Sequence, residues 1–368
     1  MNQKQRLLFI CEDINSPTGG IKQIYRQVDV LNSNGFNAFV LHRNYGFKCT
    51  WFKNQTQVLY YYPIFSKLDK FLKSKSNERG GILNRLLKIK SFYKKNIQES
   101  LLKIKNKSKN IIIQPNDIFI FPEIYGPRIA EIVKGNKKVI YNQGAYQTFF
   151  HYDLSLKNKV TSYLNQELIS TIVNSEDAKE YISFVFPEMN VQRVRYGIDS
   201  KNFYFNENKK KKIAFMPRRL RVDLVQVINI LKFRGILDNW ELVEIHNMNE
   251  QQVADILKEC ALFLSFSINE GFGMPPAEAM ACGCIVIGYP GKGGKEFFKD
   301  DFCYPIEDRD VMTFAKTLEK VIKEYENDAK PFIEKGAKSS QFILEEYSME
   351  MEEKTIVDCW NKILNKHE

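Results

Sequence analysis

Apolar residues recur along the chain in two alternating rhythms. Arg6–Cys11 is a short apolar run closed by Glu12 and Asp13, the mark of a buried strand. Beyond the turn-forming stretch Asn15–Gly20, the residues Ile21, Ile24, Tyr25, Val28 and Leu31 repeat at helical spacing. Gly35 then stands where a helix usually ends. Asn37–Leu41 reads as the next strand, and Asp117–Phe121, Lys138–Tyr141 and Ile169–Val173 continue the series. Strand, glycine-bearing loop, helix, strand is the opening of a parallel β-α-β sheet. A second series begins near Lys212. It predicts strands at Ile213–Met216, Trp240–Ile245, Leu262–Ser265 and Ile285–Gly288, and helices at Val222–Phe233, Glu250–Glu259, Pro276–Ala281 and Val311–Tyr325. The tail, Pro331–Tyr347 and Met349–Leu364, is helical and charged on one side. The pattern predicts an α/β chain of two Rossmann-like domains facing across a cleft. Residues 1–200 form the first and residues 201–345 the second, with residues 346–368 as a final helix. Ligands of such sheets sit beyond the carboxyl ends of the strands, so the chemistry is sought in the loops there.

Composition narrows the classes. A chain of 368 residues with 44% hydrophobic and 27% charged residues is neither disordered nor collagen-like. Uninterrupted apolar runs stay far below the ~18 residues of a spanning helix, and Leu7–Cys11 is too short for a signal-peptide core. A cytosolic protein is expected. The seven cysteines are scattered and show neither zinc spacing nor a disulfide framework; Cys282 and Cys284 read as small buried residues. The single Asp-x-Asp spacing, Asp308-Arg309-Asp310, precedes a helix and reads as a cap rather than a metal site. The formal charge of +10 is local: Ser66–Asn110 holds 14 Lys and Arg against Asp69, Glu78 and Glu99. Within it, Gly81–Ile104 carries an apolar helical stripe between lysines. This basic insertion, residues 64–110, is either a solvated helix packed on its domain or a surface for an anionic membrane. Nucleic acid is not expected, since no helix-turn-helix, zinc-finger or RNA-binding signature is present.

The most informative stretch runs from Asn269 to Gly283. A strand ends at Ser265, a loop with Gly271 and Gly273 follows, and a helix starts at Pro275-Pro276. Proline is favoured in a first helical turn, and the positive end of such a helix makes an anion site. Glycines admit a ligand close to the backbone. Glu270 lies in the loop and Glu278, eight positions on, is expected in the first turn of the helix. An anion held by backbone amides and flanked by two acceptors of hydroxyl protons describes a sugar nucleotide.

Glu270-Gly271-Phe272-Gly273-Met274-Pro275-Pro276-Ala277-Glu278-Ala279-Met280-Ala281 resembles the Glu-x7-Glu motif of the retaining glycosyltransferases of family 4, which have the GT-B fold. Other pieces fall in the order of that family: Gly19-Gly20 after the first strand, Asn174-Ser175, Tyr196-Gly197-Ile198-Asp199 with Phe203, and Gly291-Lys292-Gly293-Gly294-Lys295-Glu296. The resemblance implies that Glu278 accepts hydrogen bonds from ribose hydroxyls, and that Glu270 with Gly271, Phe272 and Gly273 binds the donor sugar beside Met274 and Pro275. It implies the diphosphate on Arg218 or Arg219, with Arg221 as a further cation, where the family has an arginine and a lysine. It implies donor contacts from Gly19, Gly20 and either Asn142 or Gln143, standing where many members carry a histidine; His151 reads as a packing or surface residue. It also implies C-terminal helices that cross back to the first domain.

The reaction so implied moves a sugar from a nucleotide-diphosphate donor to an acceptor hydroxyl, in polysaccharide or glycoconjugate synthesis. The acceptor is a saccharide or a lipid-linked one, reached at the inner face of the membrane. Fixed positive charge would stabilise the leaving diphosphate, so neither metal nor cofactor is expected. A sugar-nucleotide epimerase of the same architecture is the enzymatic alternative. A nicotinamide dehydrogenase is weaker, because the loop after the first strand lacks Gly-x-Gly-x-x-Gly. A non-catalytic protein binding membrane or nucleic acid through its basic helix is the alternative from another class.

Overall fold

The structure, a computed structural model, describes residues 5–73, 109–150, 152, 161–217 and 220–365. The chain divides into two compact units. The first comprises Met1–Asn142, Gln147–Ile172 and Phe186–Asn190; the second comprises Gln143–Tyr146, Val173–Val185 and Val191–Glu368. The second unit thus takes in pieces that precede residue 200. The helix expected over Gly81–Ile104, and most of the basic insertion, lie outside the described residues, as does His151.

The first sheet is built from β1 (Leu7–Ile10), β2 (Ala38–His42), β3 (Val58–Tyr60), β4 (Ile118–Pro122), β5 (Lys138–Asn142), β6 (Leu168–Val173) and β7 (Val191–Arg193), in the order β3-β2-β1-β4-β5-β6-β7. Strands β1 to β5 pair in parallel, with Leu7 opposite both Ala38 and Ile118. β1, β5 and β6 are buried along their whole length. Strands covered on both faces read as unbroken apolar runs, which is why the sequence shows them so clearly. Helix α1 (Gly19–Ser33) lays Ile21, Ile24, Tyr25, Val28 and Leu31 against the core, and Gly35 follows in the left-handed region at φ 82°. The start of the basic insertion forms helix α2 (Tyr62–Lys73), which buries Ile64, Phe65 and Leu68.

The second sheet holds β8 (Lys210–Phe215), β9 (Glu241–Glu244), β10 (Cys260–Ser267), β11 (Ile285–Pro290) and β12 (Tyr304–Pro305), all parallel, in the order β12-β11-β10-β8-β9. The chain lays β9 on one side of β8 and β10 on the other, so the strand order reverses between β8 and β10. Loops leaving the carboxyl ends of those two strands diverge there, and such a switch point is where parallel sheets bind ligands. Helices α3 (Glu176–Val185), α4 (Arg221–Phe233), α5 (Glu250–Glu259), α6 (Met274–Ala281) and α7 (Val311–Asn327) complete the unit with α8 (Lys330–Glu346) and α9 (Met349–Asn365). Leu224, Val227, Ile228 and Leu231 of α4 join Phe314, Leu318, Val321 and Ile322 of α7 in one core with β8, β10 and β11. Asn249 and Gln252 form a reciprocal capping box at the start of α5, as sequence logic prefers. Asp310 caps α7 through the Thr313 N–H at 2.9 Å, the role expected for the Asp-x-Asp spacing.

The C-terminal helices belong to the second unit. The Ile198 N–H donates to the Tyr347 carbonyl at 2.8 Å, and the Arg195 N–H donates to Thr355 Oγ1 at 3.0 Å. α9 packs on β7. All seven cysteines are buried and unpaired, Cys282 and Cys284 among them. Among the described residues no helix is long and apolar enough to cross a membrane.

Candidate active site

Beyond β10 the chain runs through Ile268–Gly273 into α6. Asn269 takes the left-handed conformation at φ 50° and Gly273 the same region at φ 99°. Gly271 leaves no room for any side chain: a Cβ there would lie 1.9 Å from the Gln143 carbonyl oxygen and 2.8 Å from Asn174 Nδ2. Gly293 meets the other side, since its own Cβ would lie 1.9 Å from the Gly271 carbonyl oxygen. Three backbone segments are therefore stacked in direct contact, which only glycine permits. Hydrogen bonds hold the stack: Gly293 N–H to Glu270 O at 3.0 Å, and Asn174 Nδ2 to Gln143 O at 3.1 Å. The Phe272 ring locks the loop from beneath, with Tyr196, Phe297 and Tyr347 at centroid distances of 5.6, 5.3 and 5.2 Å. Tyr196 OH in turn donates to Gln143 Oε1 at 3.2 Å.

The loop so fixed presents backbone donors. The N–H groups of Gly271, Phe272, Gly273 and Met274 make no hydrogen bond among the described residues. The geometry corrects the sequence reading in two respects. Helix α6 starts at Met274, capped by Gly273, so Pro275 and Pro276 occupy its second and third positions and contribute no N–H. The donors at this mouth are supplied by the loop more than by the helix, whose contribution is its dipole. The earlier start also moves Glu278 out of the first turn, which holds no acid. Its carboxylate is therefore not a first-turn dipole partner, the bland role such a residue would otherwise have. Glu270 and Glu278 are both half-buried.

Across the switch point, Arg218 and Arg219 lie outside the described residues. Arg221 is the exposed first residue of α4, directly after Leu220 in the left-handed region at φ 41°. Asp223, buried in the same first turn, accepts from Tyr289 OH at 3.1 Å and from Arg309 at 2.8 Å, tying α4 to the end of β11 and to the loop before α7. Burial, and then the Asp223 charge, push the Tyr289 phenol up, so it stays a neutral donor.

One ion-pair network was invisible in the sequence. Arg193 grips Glu296 with both oxygens at 2.8 and 2.9 Å and reaches Glu176 at 2.8 Å. Burial raises the Glu296 carboxyl above its ordinary value, with Arg193 pulling the other way. Arg193 sits in a three-residue edge strand and Glu296 closes the turn Gly293–Glu296, so no periodicity marks either.

In the first unit, Gly19 and Gly20 are exposed at the start of α1, and Gly19 has open space where a Cβ would be. Asn142 is fully buried, and its amide donates to Thr148 Oγ1 at 2.8 Å and Tyr163 OH at 3.0 Å. That side chain is held inside the core, whereas the Gln143 carbonyl lies against Gly271 of the loop. At the switch between β1 and β4, Tyr125 OH donates to Glu12, and Asp13 accepts from the backbone N–H groups of Arg43 and Asn44 at 3.0 Å each. Buried His42 places Nδ1 3.1 Å from both Cys11 O and Asp13 Oδ1, and Nε2 2.6 Å from Tyr25 OH.

Residues 225–339, which hold the whole Glu-x7-Glu loop, match the family model for Glycosyl transferases group 1. The chain is a glycosyltransferase. It is 24% identical over 245 residues to an alpha-1,6-glucosyltransferase of Actinobacillus pleuropneumoniae, covering 62% of this chain and 71% of that one. Its fold is similar to that of sucrose-phosphate synthase from Thermosynechococcus elongatus (TM-score 0.61, 12% identity, 99% of this chain and 100% of that chain). It is equally similar to S. aureus TarM, crystallised as a mutant with fondaparinux, alpha-GlcNAc-glycerol and UDP (TM-score 0.62, 13% identity, 98% and 100% of the two chains). The two Rossmann-like parallel sheets are those of the GT-B glycosyltransferases.

Proposed function

We propose that this glycosyltransferase is a retaining hexosyltransferase of family 4 that takes its sugar from a uridine-diphosphate donor, with glucose the first candidate. The observation that carries the reading is the glycine-stacked loop Glu270–Gly273. With Met274 at the start of α6 it offers four consecutive backbone N–H groups, those of Gly271–Met274, at the switch point of the second sheet, with a carboxylate at either end of the motif. UDP accompanies the similar TarM structure, and an alpha-1,6-glucosyltransferase is a sequence relative. Glu278 accepts from the ribose hydroxyls, and Glu270 with the amides of Gly271–Gly273 and Met274 orients the sugar beside Pro275. Arg218, Arg219 and Arg221 meet the diphosphate. Breaking the anomeric C–O bond puts negative charge on that diphosphate. Guanidinium groups and a helix dipole aimed at it favour the transition state over the ground state, and no metal is required. The acceptor is a saccharide or lipid-linked saccharide in glycoconjugate synthesis, met at an anionic membrane through the basic stretch 66–110.

The test is product analysis with UDP-glucose and a panel of simple glucosides. The expected products are UDP and an α-linked disaccharide, the anomer read by the proton coupling of the new linkage. A new nucleotide sugar formed without an acceptor would identify an epimerase, and a β-linked product would overturn retention.

A further inference from the structure

Arg193, Glu296 and Glu176 stand outside the loop that holds the donor, yet they are joined to it by contacts with no slack. Arg193 and Glu296 are only 13% and 17% exposed; Nη2 of the guanidinium donates to both Glu296 oxygens while Nη1 holds Glu176. The Glu176 N–H donates to the same Glu296 carboxylate at 3.4 Å. Two nitrogens held by two different carboxylates fix the guanidinium's orientation as well as its distance. Glu296 ends the turn that begins at Gly293, and Gly293 abuts the Gly271 carbonyl while donating to Glu270 O. On its far side Gly271 abuts Gln143, whose carbonyl is held by Asn174. Backbone pressed on backbone has no side chain to give way, so a shift of the Gly293 turn passes directly into the loop.

We propose that Arg193 and Glu296 are positioning residues for sugar transfer: their ion pair clamps the turn Gly293–Glu296 against Gly271 and so sets the N–H groups of Gly271–Met274 where the sugar reacts. The proposal rests on the donor reading above. It separates two properties of the site. Nucleotide affinity, carried by Glu278 and the diphosphate cations, is independent of the clamp, whereas the rate of transfer depends on it.

The experiment measures kcat with UDP-glucose, the Kd of UDP alone and Tm for wild type, Arg193→Gln, Glu296→Gln and the double variant. Misplacing reacting groups by a fraction of an ångström costs about tenfold or more in rate. Each single variant is therefore expected to lose about tenfold or more in kcat, with UDP affinity within about twofold of wild type. The double variant should be no slower than the slower single, because both cut one connection. Arg193→Lys, which keeps the charge but cannot reach Glu296 and Glu176 through two separate nitrogens, should fall between wild type and Arg193→Gln, and serves if a glutamine variant does not fold. Unchanged kcat in the singles overturns the proposal. So do losses that multiply in the double variant, or that track a fall in UDP affinity. Failure of wild type to bind UDP would strike the donor reading instead.

Discussion

A methyl group at position 271 would overlap the Gln143 carbonyl at 1.9 Å, a backbone atom that cannot swing aside as a side chain does. Gly271→Ala should therefore push the donor loop off its seat. A loss of about 1–3 kcal/mol in unfolding free energy is expected from overpacking, together with a fall in transfer rate larger than that instability explains. Denaturant melts and initial rates on the same preparation check both. Charge at single residues gives a second, independent prediction. Arg234 and then Lys323 hold the Glu319 carboxyl down from 4.5 to about 2. A folded-state value below the unfolded one contributes stability that is complete above the unfolded value and disappears as pH falls toward about 2. Glu319→Gln should thus lower stability at neutral pH by under about 1 kcal/mol, as solvent-screened pairs do. Its difference from wild type should narrow between pH 4.5 and 2; a constant gap across that window would contradict the pairing.

Among elements, α6 is short and carries three buried alanines, Ala277, Ala279 and Ala281, with α8 packed against it. Gly336 of α8 leaves space for the Gly283 carbonyl, which a Cβ would meet at 2.4 Å, and Ser340 Oγ donates to Ala281 O at 2.5 Å. Alanine at 336 gains about 1 kcal/mol of helix propensity but forces the helices apart, so Gly336→Ala is expected to lower Tm. A raised Tm would mean the contact is loose. The elements also show what the sequence could reveal. The central strands and the amphipathic helices were legible because burial on one or both faces writes a long apolar pattern; Glu250–Glu259 was legible to the residue. The edge strands Val58–Tyr60, Val191–Arg193 and Tyr304–Pro305 are too short to show a period. Helix α6 starts at Met274, two residues ahead of Pro276, because proline marks a first helical turn without fixing its position within it. In the site, the motif residues from Glu270 to Glu278 were legible as a local string. The Asn142 amide, turned into the core, and the Arg193–Glu296 clamp, joining residues 103 apart, were not.

At the scale of the molecule, the two sheets each reverse strand order once, and in each the loops at the reversal carry the concentrated polar chemistry. In the second unit these are the loops after β8 and β10. The loop after β10 lies within the stretch that matches the group 1 glycosyltransferases; the loop after β8 lies just before it. The second unit is thus one compact body whose loop after β10 is lined by backbone N–H groups, with Arg221 exposed at the start of the helix that follows β8.

The most direct measurement of that claim is calorimetric titration of UDP-glucose into wild type and Glu278→Ala. Hydrogen bonds to a charged group are each worth about 1.5–3 kcal/mol, so losing the carboxylate should weaken binding by about tenfold or more while Tm without ligand stays close to wild type. Equal affinities in the two proteins, or no saturable binding by wild type, would contradict it.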